Sequence, residues 1–325
     1  MSMYLRHFGM REQPFTITPD TSFFFPYGCY MEAYNVLVIA LRSGEGFIKI
    51  TGEVGTGKTL LCRKLIASLG RDFEVAYIPN PCLYPKALLM ALAEELGIAF
   101  DFHIGQHHLL KLVYHKLMAL SSTGKQVVLC LDEAQTIPDE SLEYLRLLTN
   151  LETEKKKLMQ IVLFGQPELN SRLNSPSFRQ LRQRITFSYN LQPIDWKGFN
   201  AYLGFRLSRS GYRGILFRPE AVNELYKRSR GIPRLVNILC HKSLMAAYGL
   251  GHQSITRKHI RLAVKDTECV HRLKDTRPRR LVYEILAIMA VITMTILIGI
   301  VTDSHTDHVA DNLQSMTNHV TNSRI

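Results

Sequence analysis

The sequence predicts an α/β protein: a P-loop αβα sandwich on a five-stranded parallel sheet, then a small all-α domain and one C-terminal transmembrane helix. Three observations predict it. Short β-prone apolar runs alternate with helical segments to about residue 190 and then give way to helices alone. The first run leads directly into Gly52-x-x-x-x-Gly57-Lys58-Thr59. Near the end, Leu281–Val301 is apolar on every face, with Glu284 as its one ionised group.

Phe47–Thr51 alternates and is β-prone, so it reads as the first strand, and Lys58–Leu69 has helical spacing. The segment between them, Gly52, Glu53, Val54, Gly55, Thr56 and Gly57, is a phosphate-binding loop in its strand–loop–helix context, closing on Lys58, Thr59 and Leu60. Glycines let backbone N–H groups close around phosphates, and the helix N-terminus adds a favourable field. Lys58 is placed to reach the β- and γ-phosphates, and the Thr59 hydroxyl to ligate Mg²⁺. The predicted ligands are therefore ATP and Mg²⁺.

Val75–Pro79 reads as the second strand, ending at Asn80, with helical segments over Tyr84–Gly97 and Leu109–Leu120 after it. In VVLCLDEAQ the near-continuous apolar run Val127–Leu131 reads as a buried parallel strand, whose carboxyl end is where ligands sit in open α/β sheets. Asp132 stands there as a Mg²⁺-holding acid, and Glu133 beside it can polarise an attacking water. A helix over Asp139–Leu151 leads to a fourth strand, Gln160–Gly165, followed by Gln166, and Arg184 directly precedes a fifth, Ile185–Tyr189. Helices over Trp196–Ser208, Pro219–Ser229, Arg234–Tyr248 and Thr256–Lys265 complete the second domain. His103, His107 and His108 lack a metal-ligand pattern and read as loop residues. The six cysteines contain no C-x-x-C pair and read as small core residues in a reducing compartment.

Charge is unevenly spread. Residues 1–171 carry 16 Lys+Arg against 18 Asp+Glu, whereas residues 172–280 carry 23 against 6, a net of +17. That asymmetry predicts an anionic partner for the second half: nucleotide, nucleic acid or lipid headgroups. The N-terminal MSMYLRHFGMREQPF has no apolar core of a secretory signal.

A P-loop αβα domain followed by a small helical lid resembles the AAA+ plan. That resemblance implies roles for several of these residues. Gln166 matches sensor 1, which orients the water or the γ-phosphate, and Arg234, in RGIPRLVN, matches sensor 2. Arg184 matches the trans-acting arginine finger, with Arg182 and Arg179 as rivals, and so implies a homo-oligomer, a ring or a transient dimer. Asn80 matches the polar residue that restrains the catalytic glutamate. The blocks FGMREQPFTITPDTSFFFP, GEVGTGKT, LDEAQ, GQPEL, LRQRI and GIPRLVN together resemble the bacterial secretion ATPases of the ExeA type, general secretion pathway protein A. The run from LLTNLETEKKK to RITFSY is most similar to their mannose-sensitive haemagglutinin (type IV) pilus branch. The resemblance covers residues 3–270 and implies partners among inner-membrane proteins of pilus or secretion machinery. Only twenty-four residues follow Val301, so the family's periplasmic peptidoglycan-binding domain is not expected.

Leu281–Val301 is twenty-one residues long, enough to cross about 30 Å of hydrocarbon. Arg277, Arg279 and Arg280 precede it, and positive flanks mark cytoplasmic ends. The expected organisation is a nucleotide-binding domain over 1–190, a lid over 191–270, a basic linker over 271–280, a single inner-membrane span over 281–301 and a periplasmic tail over 302–325. The expected function is a membrane-tethered ATPase, in contact with inner-membrane lipids, that drives or regulates assembly of a type IV pilus or type II secretion complex. Two alternatives stand beside it. One is a DNA-handling ATPase similar to transposition ATPases, disfavoured by the lack of a helix-turn-helix or of aromatic–basic interleaving. The other is a nucleotide-gated scaffold with little turnover, against which Asp132–Glu133 speaks.

Overall fold

The computed structural model describes residues 3–154 and 156–267, together with the pairs 288–289 and 293–294. Five parallel strands form its sheet: β1 (Phe47–Gly52), β2 (Phe73–Ile78), β3 (Gln126–Leu131), β4 (Met159–Gly165) and β5 (Phe187–Leu191). Their order is β2-β3-β4-β1-β5. The strands alternate sides as a pleated sheet must. Val127, Leu129 and Leu131 of β3 join the core cluster on one face, while Cys130 meets Cys62 on the other. The first face is covered by α4 (Pro85–Glu95), α5 (Gln106–Ser122), α6 (Asp139–Leu148), α7 (Pro167–Leu173) and α8 (Arg179–Arg184). The second is covered by α2 (Gly28–Arg42) and α3 (Lys58–Ser68).

Pairing register decides where chemistry can happen. Thr51 of β1 lies opposite Gly165 of β4, and Leu163 of β4 opposite Leu131 of β3. The residues that leave these strands, Gly52, Asp132 and Gln166, therefore emerge along one carboxyl edge. That is the ligand edge of an open parallel sheet.

The chain begins with α1 (Met3–Phe8) and an irregular aromatic segment containing a 3₁₀ turn at Thr21–Phe23. After β5 come α9 (Trp196–Arg209), α10 (Pro219–Ser229), α11 (Pro233–Gly249) and α12 (Arg257–Lys265), a helical lid. The N-terminal segment is fastened to that lid. The Tyr4 hydroxyl bonds His241 at 3.1 Å, the Arg11 N–H donates to the Ser210 carbonyl at 2.8 Å, and Arg206 Nε donates to the Pro14 carbonyl at 2.6 Å. The described residues 3–154 and 156–267 belong to one compact unit.

Several expectations shift. The fifth strand starts at Phe187, not Ile185, because pairing with β1 begins only where the Thr186 N–H reaches the Phe47 carbonyl at 3.0 Å. Ile185 instead caps α8 and packs against the core, so Arg184 ends a helix and does not abut the strand. His107 and His108 are exposed residues in the first turn of α5 and not loop residues; His103 does lie in a turn. Among the described cysteines Cys62, Cys130 and Cys240 are buried, Cys29 is partly so and Cys82 is exposed. The expected span over 281–301 lies outside the described residues apart from the two short pairs. No helix among the described residues is long and apolar enough to cross a membrane.

Candidate functional site

The loop after β1 is shaped by what its glycines permit. Gly55 and Gly57 have φ of +84° and +97°, a backbone region that L side chains avoid. A Cβ on Gly52 would lie 2.7 Å from the Leu191 carbonyl oxygen, so only glycine lets the loop turn this close to β5. The Thr56 hydroxyl donates to the Glu53 carbonyl at 2.8 Å, and the Tyr30 hydroxyl of α2 donates to the Thr56 carbonyl at 2.8 Å. Both bonds brace the loop from inside.

Lys58 opens α3 and is buried, its Nζ donating to the carbonyls of Gly52 at 2.7 Å and Glu53 at 3.0 Å. Burial lowers its pKa from the ordinary lysine value, while Glu133 and Asp132 push the other way. A desolvated ammonium held only by neutral carbonyls is prepared to exchange them for phosphate oxygens. Beside it the Thr59 hydroxyl donates to Asp132 Oδ2 at 2.6 Å. Asp132 is buried, and desolvation raises its carboxyl above the usual range against the Thr59 bond and the Glu133 N–H at 3.0 Å. A hydroxyl and a carboxylate side by side are the hard oxygen donors that Mg²⁺ takes along with phosphate oxygens. The donor set fits that ion.

Glu133 adopts a left-handed backbone, φ 51° and ψ 40°, unusual for a residue with a side chain. Its Oε2 accepts from Gln135 Nε2 at 2.5 Å and from Gln166 Nε2 at 3.1 Å. Arg234 arrives from the lid as the second residue of α11. Its backbone N–H donates to the Gly55 carbonyl at 3.1 Å, and its Cβ fills the space where a Gly55 side chain would begin. Lid and phosphate loop are thus in direct contact.

Apart from Asp132, which meets it through the Thr59 hydroxyl, these groups share one cleft of about 480 Å³, lined by Val54–Leu60, Glu133, Gln166 and Arg234. The same cleft is lined by Thr16–Asp20 and Phe23–Phe25 of the N-terminal segment and by Tyr202, Arg206 and Asn237 of the lid. A family model described as AAA domain matches residues 41–173, the stretch that carries the loop, Asp132, Glu133 and Gln166. This chain carries an AAA P-loop NTPase domain.

The chain is also a homologue of a curated protein, general secretion pathway protein A of Aeromonas hydrophila. The two are 43% identical over 261 residues, 80% of this chain and 48% of that one. The chain therefore spans about half the length of that relative. Solved structures share the fold at low identity. The Aeropyrum pernix ORC2 protein, in complexes with ADPNP and ADP, is 18% identical with a TM-score of 0.55, over 76% of this chain and 70% of that one. The Pyrobaculum aerophilum Cdc6p gives 20% and 0.58 over 76% and 71%. Drosophila ORC bound to DNA gives 18% and 0.60 over 88% and 72%.

Within the AAA unit the structure brings together most of the residues singled out from sequence. Lys58, Thr59, Asp132, Glu133, Gln166 and Arg234 converge, and Glu53 and Val54 form the exposed shoulder of the loop. Asn80 does not join them. It is exposed two residues beyond β2, and the bonds that restrain Glu133 come from Gln135 and Gln166. Arg184 also stays outside the cleft, its guanidinium on the Thr149 hydroxyl at 3.3 Å, while Arg182 bonds Asn174 at 3.3 Å.

Sequence reasoning missed Gln135 and the part of the cleft lining that the N-terminal segment and the lid supply. Arg206 is buried there, stacked 4.3 Å from the Phe23 ring and bonded to the carbonyls of Pro14 and Thr16. Burial lowers its pKa from the ordinary arginine value. Asn237 donates to the Thr16 carbonyl at 3.0 Å and accepts from the Tyr202 hydroxyl at 2.8 Å. The signal was present in PFTITPDTSFFFP, but its partners lie some 190 to 221 residues away.

Proposed function

We propose that this chain is a membrane-tethered ATPase that binds ATP with Mg²⁺ and hydrolyses it to drive or regulate assembly of an envelope machine, a pilus of the mannose-sensitive haemagglutinin type or a type II secretion complex. The observation that carries the chemistry is the convergence of Lys58, the Thr59–Asp132 pair, Glu133 and Arg234 on one cleft. The secretion context is supported by the homology to general secretion pathway protein A and the tether by the apolar run 281–301.

In this reading Lys58 exchanges its loop carbonyls for β- and γ-phosphate oxygens, and the backbone N–H groups of the loop and of the first turn of α3 receive the rest of that charge. Thr59 and Asp132 would hold Mg²⁺, which would supply charge neutralisation on the phosphates. Glu133 accepts a hydrogen bond from a water and turns its oxygen toward phosphorus. Arg234, carried by the lid, meets the γ-phosphate, so hydrolysis removes a contact between lid and core. Arg184, tied to Thr149 away from its own cleft, serves the site of a neighbouring copy.

The test uses full-length protein. Lys58→Ala should abolish nucleotide binding, because it removes the charge facing the phosphates. Glu133→Gln should bind ATP and retain it, because it removes only the water-polarising carboxylate. In the host bacterium the protein should resist carbonate extraction, and deleting 281–325 should release it and impair pilus assembly. Wild-type turnover by Glu133→Gln would overturn the catalytic assignment, and extraction of the intact protein by salt or carbonate would overturn the tether. Strong, salt-dependent, stoichiometric DNA binding would favour the DNA-handling reading instead.

A further inference from the structure

The Glu133 carboxylate is held by one oxygen only. Oε2 takes both carboxamide donors, Gln135 at 2.5 Å and Gln166 at 3.1 Å, while no bond to Oε1 is made among the described residues. The two donors are not equivalent. Gln166 lines the cleft that Lys58 and Thr59 also line. Gln135 is not among the cleft residues and, besides its bond to Glu133, is fixed at two points. Its Oε1 accepts the Gln166 backbone N–H at 3.0 Å and its own carbonyl accepts from Arg172 Nη1 at 2.8 Å; the same guanidinium binds the Ile137 carbonyl through Nη2 at 2.7 Å.

The backbone beneath this contact is a left-handed residue at Glu133 followed by a 3₁₀ turn at Ala134–Thr136, on which the Glu133 and Gln135 side chains meet.

We infer that Gln135 is the positioning residue of the catalytic glutamate: its carboxamide pins Glu133 Oε2 to the carboxyl end of β4, leaving Oε1 to hold the attacking water. This rests on the assignment of Glu133 made above. Gln166 shares its donor between Glu133 and the γ-phosphate, so Gln135 alone keeps the carboxylate aimed once ATP is bound. The link from Gln135 Oε1 to the Gln166 backbone ties the two residues that read the γ-phosphate and the water.

The test compares Gln135→Ala, Gln135→Glu and Glu133→Gln in the full-length protein. Loss of one hydrogen bond to a charged group corresponds to roughly a tenfold to hundredfold change in rate. Gln135→Ala should lose that much kcat while ATP affinity and KM stay within about twofold. Gln135→Glu keeps the size and the acceptor for the Gln166 N–H but sets a second carboxylate against Glu133. Repulsion between like charges should then lower kcat at least as far as Gln135→Ala does, again with ATP affinity held, a kcat-against-KM split that a purely structural role would not give. If both Gln135 variants turn over at the wild-type rate while Glu133→Gln is dead, the inference fails and the proposed function stands. A loss of ATP affinity matching the loss of kcat in both variants also overturns it. Should Glu133→Gln itself be fully active, the reading on which the inference rests fails first.

Discussion

Gly55 carries a backbone at φ +84° with the Arg234 Cβ packed 2.7 Å from where its own Cβ would be, and Gly124 offers the natural control. Gly124 has nearly the same φ, +82°, with nothing within 4 Å of its would-be Cβ. Gly124→Ala should therefore cost only left-handed strain, about 1 kcal/mol, and leave nucleotide binding alone. Gly55→Ala adds a clash with an atom that cannot swing away without moving α11, so it should melt lower. It should also weaken ATP binding by about tenfold or more, the equivalent of 1.4 kcal/mol. Thermal melts and nucleotide titration of the two variants decide it. Equal losses in both would mean that lid contact with the loop contributes nothing to binding. At this scale the sequence was informative wherever chemistry depends on local spacing: the glycines, Lys58, Thr59, Asp132 and Glu133 were readable from one strand–loop–helix run and one strand end. Gln135 was not, because its role needs a left-handed turn at Glu133 and a bond to the Gln166 backbone, thirty-one residues later.

Elements were legible on the same terms. Strands β1 to β4 were placed within a residue or two, since buried parallel strands are near-continuous apolar runs. The start of β5 was displaced because Ile185 is apolar for a different reason, as the cap of α8 against the core. A short element whose burial comes from a neighbour leaves little periodicity, and α1 and α8 are six residues each. The start of α12 carries a titratable cap. The Thr256 N–H donates to His259 Nδ1 at 3.0 Å, so that nitrogen is unprotonated, and Nε2 meets His252 Nδ1 at 2.9 Å. Burial, and then the charges of His252 and Lys258, lower the His259 pKa from the ordinary 6.5. A folded state that prefers the neutral ring gains from it fully above about pH 6.5, and that gain fades as pH falls below 6.5 and the unfolded chain takes up the proton. Melting temperature should accordingly drop on acidification below pH 6.5. His259→Gln keeps an acceptor for the cap without a proton to gain, so its melting temperature should fall less over the same range. Identical pH curves for both proteins would remove His259 from the account.

At the scale of the whole molecule, the +17 carried by residues 172–280 falls largely on the lid and on α8. One of those charges bears on assembly. Arg184 is held by Thr149 on the α6 side of the sheet and contributes nothing to its own cleft, so an arginine-finger role requires a second copy. Lys58→Ala and Arg184→Ala should each be nearly inactive alone, since fingers supplied in trans contribute about 10³–10⁵ in rate. Mixed, they should recover activity. A competent site then needs an Arg184→Ala chain, which keeps Lys58, beside a Lys58→Ala chain, which keeps Arg184. With head-to-tail contacts and random mixing in equal amounts, about a quarter of sites meet that condition. Arg182, bonded to Asn174, and Arg179, exposed on the same short helix, are rivals to be run through the same mixing series. Recovery near a quarter of wild-type turnover with Arg184→Ala, and full activity of the Arg179 and Arg182 variants alone, assigns the finger. Recovery with a different arginine moves the role along α8 by one helical face. No recovery in any mixture, with mixed oligomers shown to form, would mean that each copy completes its own site and that the charge on α8 serves another purpose.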